Sequence, residues 1–262
     1  MSDPRARFFI GLFVAMNLVL TPIALILGFE DAPWTQIVLF TPAIAALVTG
    51  FRFQFHFADL GLGLGKPGYL LAGFVVVAAY AGLTVILGRE VGAITFATDW
   101  DTPTFFSAML THSIALESLL WAFGEELGWR GFLSEHLRTT RGPGAALWGV
   151  WALWFGWHLA PLLAFGATVA EIASFATLLL ALTAFLNMLR HRSGSLWPAV
   201  VAHTVHNQLT MNLTDRATTP RTDWTWAGEL GVGTAIIAVL VVAAIHALWP
   251  KNTDAGQPSE IA

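Results

Sequence analysis

From Phe8 to Phe29 the chain carries no charged side chain, and apolar runs of similar length recur along the sequence. A spanning helix needs about 20 mostly apolar residues. Eight segments qualify, at 8–29, 34–51, 68–88, 104–137, 144–163, 171–189, 194–212 and 227–249. Clusters of Pro, Gly and charge separate them, among them "EDAPW", "GLGLGKPG", "TDWDTPT", "RTTRGPG", "RHRSG" and "TDRATTPRTD". Only 11% of the residues are charged, whereas a soluble domain carries roughly a quarter. The 12 Trp suit the membrane–water interface. The expected fold is all-α: a polytopic membrane helical bundle of about eight transmembrane helices. It forms one domain over 1–250, with a catalytic core at about 104–212. The tail 251–262, "KNTDAGQPSEIA", reads as a short disordered cytoplasmic end.

Loop charge sets the expected orientation. One side collects Arg5, Arg7, Arg52, Lys66, Arg138, Arg141, Arg190, Arg192 and Lys251, and the other collects Arg89, Arg216 and Arg221. That asymmetry predicts both termini in the cytoplasm, which requires an even number of spans, and puts the protein in the cell membrane as a multi-pass chain. The first apolar run is too long for a signal-peptide h-region and lacks an A-x-A-like cleavage site, so it reads as a retained span. The net charge of −4 gives no reason to expect nucleic acid as a partner. With no Cys, disulfide frameworks, thiolate metal sites and Cys nucleophiles are excluded.

Against this background the fourth segment is unusual. It holds His112, Glu117, Glu125, Glu126 and Arg130, and each ionised group at mid-bilayer costs roughly 2.5–3.5 kcal/mol. Helical geometry divides the two adjacent acids. Glu126 and Arg130 are i, i+4 and can pair on one face. Glu125 is rotated ~100° from Glu126 and ~140° from Arg130, and so is freer to meet another helix. In the fifth segment "WALWFGWHLAP" places His158 among aromatics, and in the seventh "AVVAHTVHNQL" supplies His203, His206 and Asn207. His203 shares a face with Asn207 and neighbours His206. Each of these has a bland reading: a neutralising Glu126–Arg130 pair, a satisfied core His158, and a polar seam between helices.

Depth argues for a shared site. At about 1.5 Å rise per residue from each cytoplasmic end, Glu125 lies at ~20 Å, His158 at ~21 Å, His203 at ~14 Å and Asn207 at ~20 Å. Three helices thus bring polar groups to a similar level. A carboxylate in a dehydrated pocket suits a general base near neutral pH, and an imidazole beside it can share a water. A second imidazole with a carboxamide can donate to an oxyanion, where one donor contributes roughly 3–4 kcal/mol. No nucleophilic Ser, Thr or Cys stands out in the constellation, so activated water is favoured over an acyl-enzyme. A metal is the open alternative. Glu125, His158 and His203 form a His₂Glu set of the kind that holds catalytic zinc, although the H-E-x-x-H signature is absent.

At these residues the chain resembles the CPBP family (CAAX prenyl endoproteases and bacteriocin-processing proteins, also called Abi). That family carries Glu-Glu-x-x-x-Arg, aromatic-x-x-x-His and His-x-x-x-Asn motifs on separate helices of an eight-helix membrane bundle. Here they read Glu125-Glu126-Leu127-Gly128-Trp129-Arg130, Trp154-Phe155-Gly156-Trp157-His158 and His203-Thr204-Val205-His206-Asn207. The likeness covers about 117–212. It implies Glu125 as water-activating base, His158 sharing that water, His203 and Asn207 as the oxyanion site, and Glu126 with Arg130 as a supporting pair. Trp154 stands where the family commonly has Phe, and His206 is outside its core pattern, which leaves it as a packing or supporting residue.

The reading is an intramembrane endopeptidase that cleaves a membrane-associated peptide or protein near the cytoplasmic side, of CAAX or leader-peptide type. It uses Glu-activated water with no cofactor, or a divalent metal such as zinc. The alternatives are a non-catalytic immunity or scaffold protein, and a proton-coupled transporter, for which the paired half-length helices of an internal repeat are missing.

Overall fold

A computed structural model of the chain describes residues 3–28, 33–96, 112–214, 218–220 and 225–249. The eight expected segments each correspond to a helical stretch. Helix α1 is Pro4–Leu27, α2 is Thr41–Phe53 with a 3₁₀ lead over Pro33–Phe40, and α3 is Pro67–Glu90. Next come α4 (His112–Glu126), α5 (Ser134–Arg141), α6 (Pro143–Ala164), α7 (Val169–Ser193), α8 (Trp197–His206) and α9 (Val232–Leu248). Among the described residues, five helical stretches are long and apolar enough to cross a membrane: Pro4–Leu27, Gln36–Phe53, Pro67–Glu90, Pro143–Ala164 and Val169–Ser193. Inside lipid the helix is favoured because it satisfies its own backbone groups. The expected tail at 251–262 and the first part of the expected core, 104–111, lie outside the described residues.

Helix boundaries follow local chemistry. Asp3 caps α1 by accepting from the amides of Arg5 and Ala6. Thr168 and Glu171 form a reciprocal capping box at the start of α7. Pro occupies the first turn of α2, α3, α6 and α8, where its missing N–H has no partner to lose. The core lies where α3 packs on α8 and α9, and α9 on α7.

Three features depart from the expected pattern. The fourth and seventh segments are not uniform α-helices. Leu127–Leu133 and Asn207–Thr214 are wound as π-helix, a local widening that often marks functional sites. At the first of these, a Cβ on Gly128 would come within 2.4 Å of Pro42, so the absence of a side chain is what lets α2 pack there. The last segment also begins later than expected. Thr225–Gly231 is a non-helical strap, turned at Gly228 with φ 85°, and the helix starts only at Val232. A short antiparallel ribbon, β1 (Ile94–Phe96) with β2 (Thr218–Pro220), is a third addition.

One end of the bundle gathers the basic loops. Arg190 donates to the Asp59 carbonyl at 2.8 Å, and His136 meets Asp3 at 3.1 Å. Trp249 stacks on Tyr69 at 5.7 Å and receives Arg192 at 5.9 Å. Asp3 and Trp249, near the two ends of the chain, therefore lie on the same side, together with Arg5, Lys66, Arg138 and Arg192. Glu135 pairs there with Arg138.

With no native Cys, single introduced cysteines report topology cleanly. Lys66→Cys and Glu90→Cys sit at opposite ends of α3. An impermeant thiol reagent applied outside intact cells is expected to label Glu90→Cys and spare Lys66→Cys. The reverse pattern would invert the orientation.

Candidate active site

The two acids sit on the last turn of α4, where the helix widens into Leu127–Leu133. Both are buried, as is Arg130. Arg130 Nη1 donates to Glu126 Oε1 at 2.8 Å. The same oxygen is 2.9 Å from Nδ1 of His203 on α8. Glu126 is thus a bridge between two helices, and the Glu126–Arg130 pair expected from sequence extends to His203. The Arg130 guanidinium also lies 4.2 Å above the Trp154 ring, a cation–π arrangement that strengthens away from water.

Glu125 points to a different helix. Its Oε2 accepts the indole N–H of Trp154, on α6, at 2.7 Å. Trp154 packs edge-on against His203 at 5.3 Å and lies 6.2 Å from His158. The departure from Phe at this position is therefore chemical, since the indole supplies a donor that a phenyl ring lacks. His158 is held through Nδ1, which donates to the Trp154 carbonyl at 2.8 Å, and its ring rests on Phe175 at 5.1 Å. A carbonyl can only accept, so the neutral ring carries its hydrogen on Nδ1 and leaves Nε2 as an acceptor. Glu125 lies within electrostatic reach of both His158 and His203.

Asn207 follows His203 by four residues, is buried, and opens the second π-wound stretch. The next residue, Gln208, donates to Ser118 on α4 at 2.7 Å, closing α8 onto the acid-bearing helix. The structure thus gathers Glu125, Glu126, Arg130, Trp154 and His203 in direct contact, with His158 joined through Trp154. Glu117 is exposed on α4, away from this group, and the side chain of His112 lies outside the described residues. Glu126 Oε2 and Arg130 Nε and Nη2 have no hydrogen-bond partner among the described residues, so the centre keeps polar capacity.

The metal alternative can be tested on the donor set. Among the described residues, no three His, Asp or Glu side chains gather closely enough to hold a metal ion. Nδ1 of His158 and of His203 is engaged by the Trp154 carbonyl and by Glu126, which leaves each Nε2 open. As placed, Glu125, His158 and His203 are not grouped closely enough to share an ion, and no step below is routed through a metal.

Sequence reasoning missed three polar contributors. Trp154 entered only as an aromatic. Tyr80 is one of two tyrosines in the chain. It is buried in mid-helix, where its hydroxyl needs a partner, and that partner is His206 Nδ1 at 2.6 Å. Glu229 was hidden at the edge of the last apolar segment, and its Oε1 lies 3.6 Å from His206 Nε2.

A helical membrane bundle with acids from one helix set against histidines from two others defines a class, that of membrane-embedded acid–histidine centres. Residues 107–209 match the family model described as Rce1-like, type II CAAX prenyl endopeptidase. The match covers less than half of the chain, includes all three motifs, and agrees with the CPBP resemblance. No curated protein matches the chain.

Trp154→Phe keeps the ring but deletes the donor to Glu125. Losing a hydrogen bond to a buried charged group costs about 1.5–3 kcal/mol. The variant is expected to unfold at lower temperature in detergent than the parent. An equal midpoint would mean that the indole bond contributes nothing.

Proposed function

We propose that the protein is an intramembrane endopeptidase in which Glu125 activates a water against a peptide bond of a membrane-associated peptide or protein. The observation that carries this reading is the division of labour between the acids. Arg130 and His203 both go to Glu126, while Glu125 takes only an indole N–H from this group. A carboxylate held by a neutral donor keeps a basic oxygen for a proton.

The chemistry follows from the fixed hydrogen bonds. Glu125 accepts a proton from water as the water oxygen attacks the carbonyl carbon. His158, with Nδ1–H held by the Trp154 carbonyl, offers Nε2 to the same water. The developing oxyanion takes hydrogen bonds from His203 Nε2–H and the Asn207 carboxamide. Because Glu126 already holds Nδ1–H, His203 must carry both ring protons to donate through Nε2. The charges of Glu125, Glu126, Arg130 and His203 then sum to zero, which is how such groups persist in a dehydrated interior. Glu125 finally passes its proton to the departing nitrogen as the C–N bond breaks.

CAAX prenyl endopeptidase is the description of the matched family, and a CAAX-type tail is the first substrate class to test, with leader peptides second. The purified protein should cleave fluorogenic peptides of one of these classes. Glu125→Gln, which can still accept the indole bond, is expected to lose nearly all turnover. His203→Ala should lose about 100- to 1,000-fold in kcat, the size of one oxyanion donor. Full activity in either variant would overturn these roles. A fully functional, normally folded Glu125→Gln in cells would instead favour a scaffold or immunity protein. Chelator treatment with metal analysis is the separate check on cofactors: activity that survives with no bound metal supports water activated by Glu125. Loss with rescue by zinc overturns it.

A further inference from the structure

We propose that Glu229 is a positioning residue for this centre, acting through His206 to set the stretch of α8 that carries His203 and Asn207. The inference rests on the peptidase reading for its activity readout, but not for its structural one.

The strap that carries Glu229 is anchored on three helices. Thr225 Oγ1 donates to Glu171 on α7 at 3.1 Å. The Trp226 indole N–H donates to the Thr84 carbonyl on α3 at 3.0 Å. The indole fills space that two glycines leave open, since a Cβ on Gly88 or Gly233 would come within 2.4 Å of it. These contacts aim Glu229 at α8, where its Oε1 is 3.6 Å from His206 Nε2.

His206 is buried and its ring is constrained from both sides. Tyr80, from α3, lies 2.6 Å from Nδ1 and Thr210 lies 2.7 Å from it. A carboxylate can only accept, so the ring hydrogen is placed on Nε2, which faces Glu229, and Nδ1 is left to accept from a hydroxyl. The tautomer is assigned from these partners.

Place in the chain makes this pairing consequential. His206 is the last α-helical residue before the π-wound Asn207–Thr214. There the chain leaves regular α-helical winding, and a ring held by Tyr80 on one side and facing Glu229 on the other limits how the stretch with His203, three residues before, and Asn207, one residue after, can rotate. The Glu229 carboxylate is also within electrostatic reach of His158 and His203. The water-activation chemistry itself uses none of Tyr80, His206 or Glu229.

The test compares Glu229→Ala, Glu229→Gln and Tyr80→Phe in the purified full chain. Nitrogen-15 NMR of labelled histidine should show His206 with hydrogen on Nε2 in the parent and a changed ring signal in Glu229→Ala. This arm needs no activity. Peptide cleavage should show Glu229→Ala losing about 10- to 100-fold in kcat, the range for misplacing a reacting group by about 1 Å, with KM within about twofold. Glu229→Gln, whose carboxamide oxygen can still face Nε2–H, should recover most of that loss. Tyr80→Phe should fall in kcat like Glu229→Ala. If Glu229→Ala does not fold, Glu229→Leu replaces it. The proposal is overturned by an unchanged His206 signal, by a full kcat in Glu229→Ala, by an effect confined to KM, or by failure of Glu229→Gln to rescue. A parent protein without peptidase activity sinks the peptidase reading alone, and the NMR arm still decides the role of Glu229.

Discussion

The bridging carboxylate of Glu126 is the contact on which the rest of the centre depends. One oxygen accepts from Arg130 on its own helix and from His203 on α8. Three charged or chargeable groups are thereby withdrawn from lipid together. Removing any one leaves another buried and uncompensated, which is far costlier than breaking an exposed pair. The same bridge leaves Glu125 unclaimed by a cation.

Two changes of helical winding, one close approach and a set of aromatic contacts position these groups. The widened turn after Glu126 keeps Arg130 within reach while Gly128 lets Pro42 pack against the same stretch. The widened turn after His206 begins at Asn207, and its second residue, Gln208, donates to Ser118 on α4. Trp154 then ties α6 to α4 by its indole N–H and to α8 by its ring face. Its neighbours Trp129 and Trp157 close the region against Phe13 of α1, at 4.9 Å and 6.0 Å. The centre is held by aromatic packing as much as by charge.

Much of this was legible in the residues. Adjacent acids in a lipid-compatible run must be compensated, and the i, i+4 spacing named Arg130 as the partner of Glu126. Matching depth named α6 and α8 as the helices facing them. What spacing could not supply was the second partner of Glu126, because His203 is distant in sequence and its ring could have met either acid. Nor could it show that Trp154 donates a hydrogen bond, since in a hydropathy pattern a Trp counts as an interfacial or packing residue. Glu229 escaped because it sits among Gly and Trp at the mouth of an apolar run, where an acid reads as loop.

Hydropathy, loop charge and three short motifs, read without coordinates, determined the helical membrane bundle, the gathering of basic loops at one end, and the family that residues 107–209 match. These follow from local rules: helix period, the exclusion of unpaired backbone from lipid, and residue spacing. Only the tertiary structure decided which acid takes His203, that α4 and α8 change winding beside the centre, and that a strap before α9 reaches His206. Those outcomes depend on how close two helices can come and on which atoms then face one another. Such contacts join residues from Tyr80 to Glu229, and no one-dimensional pattern encodes them.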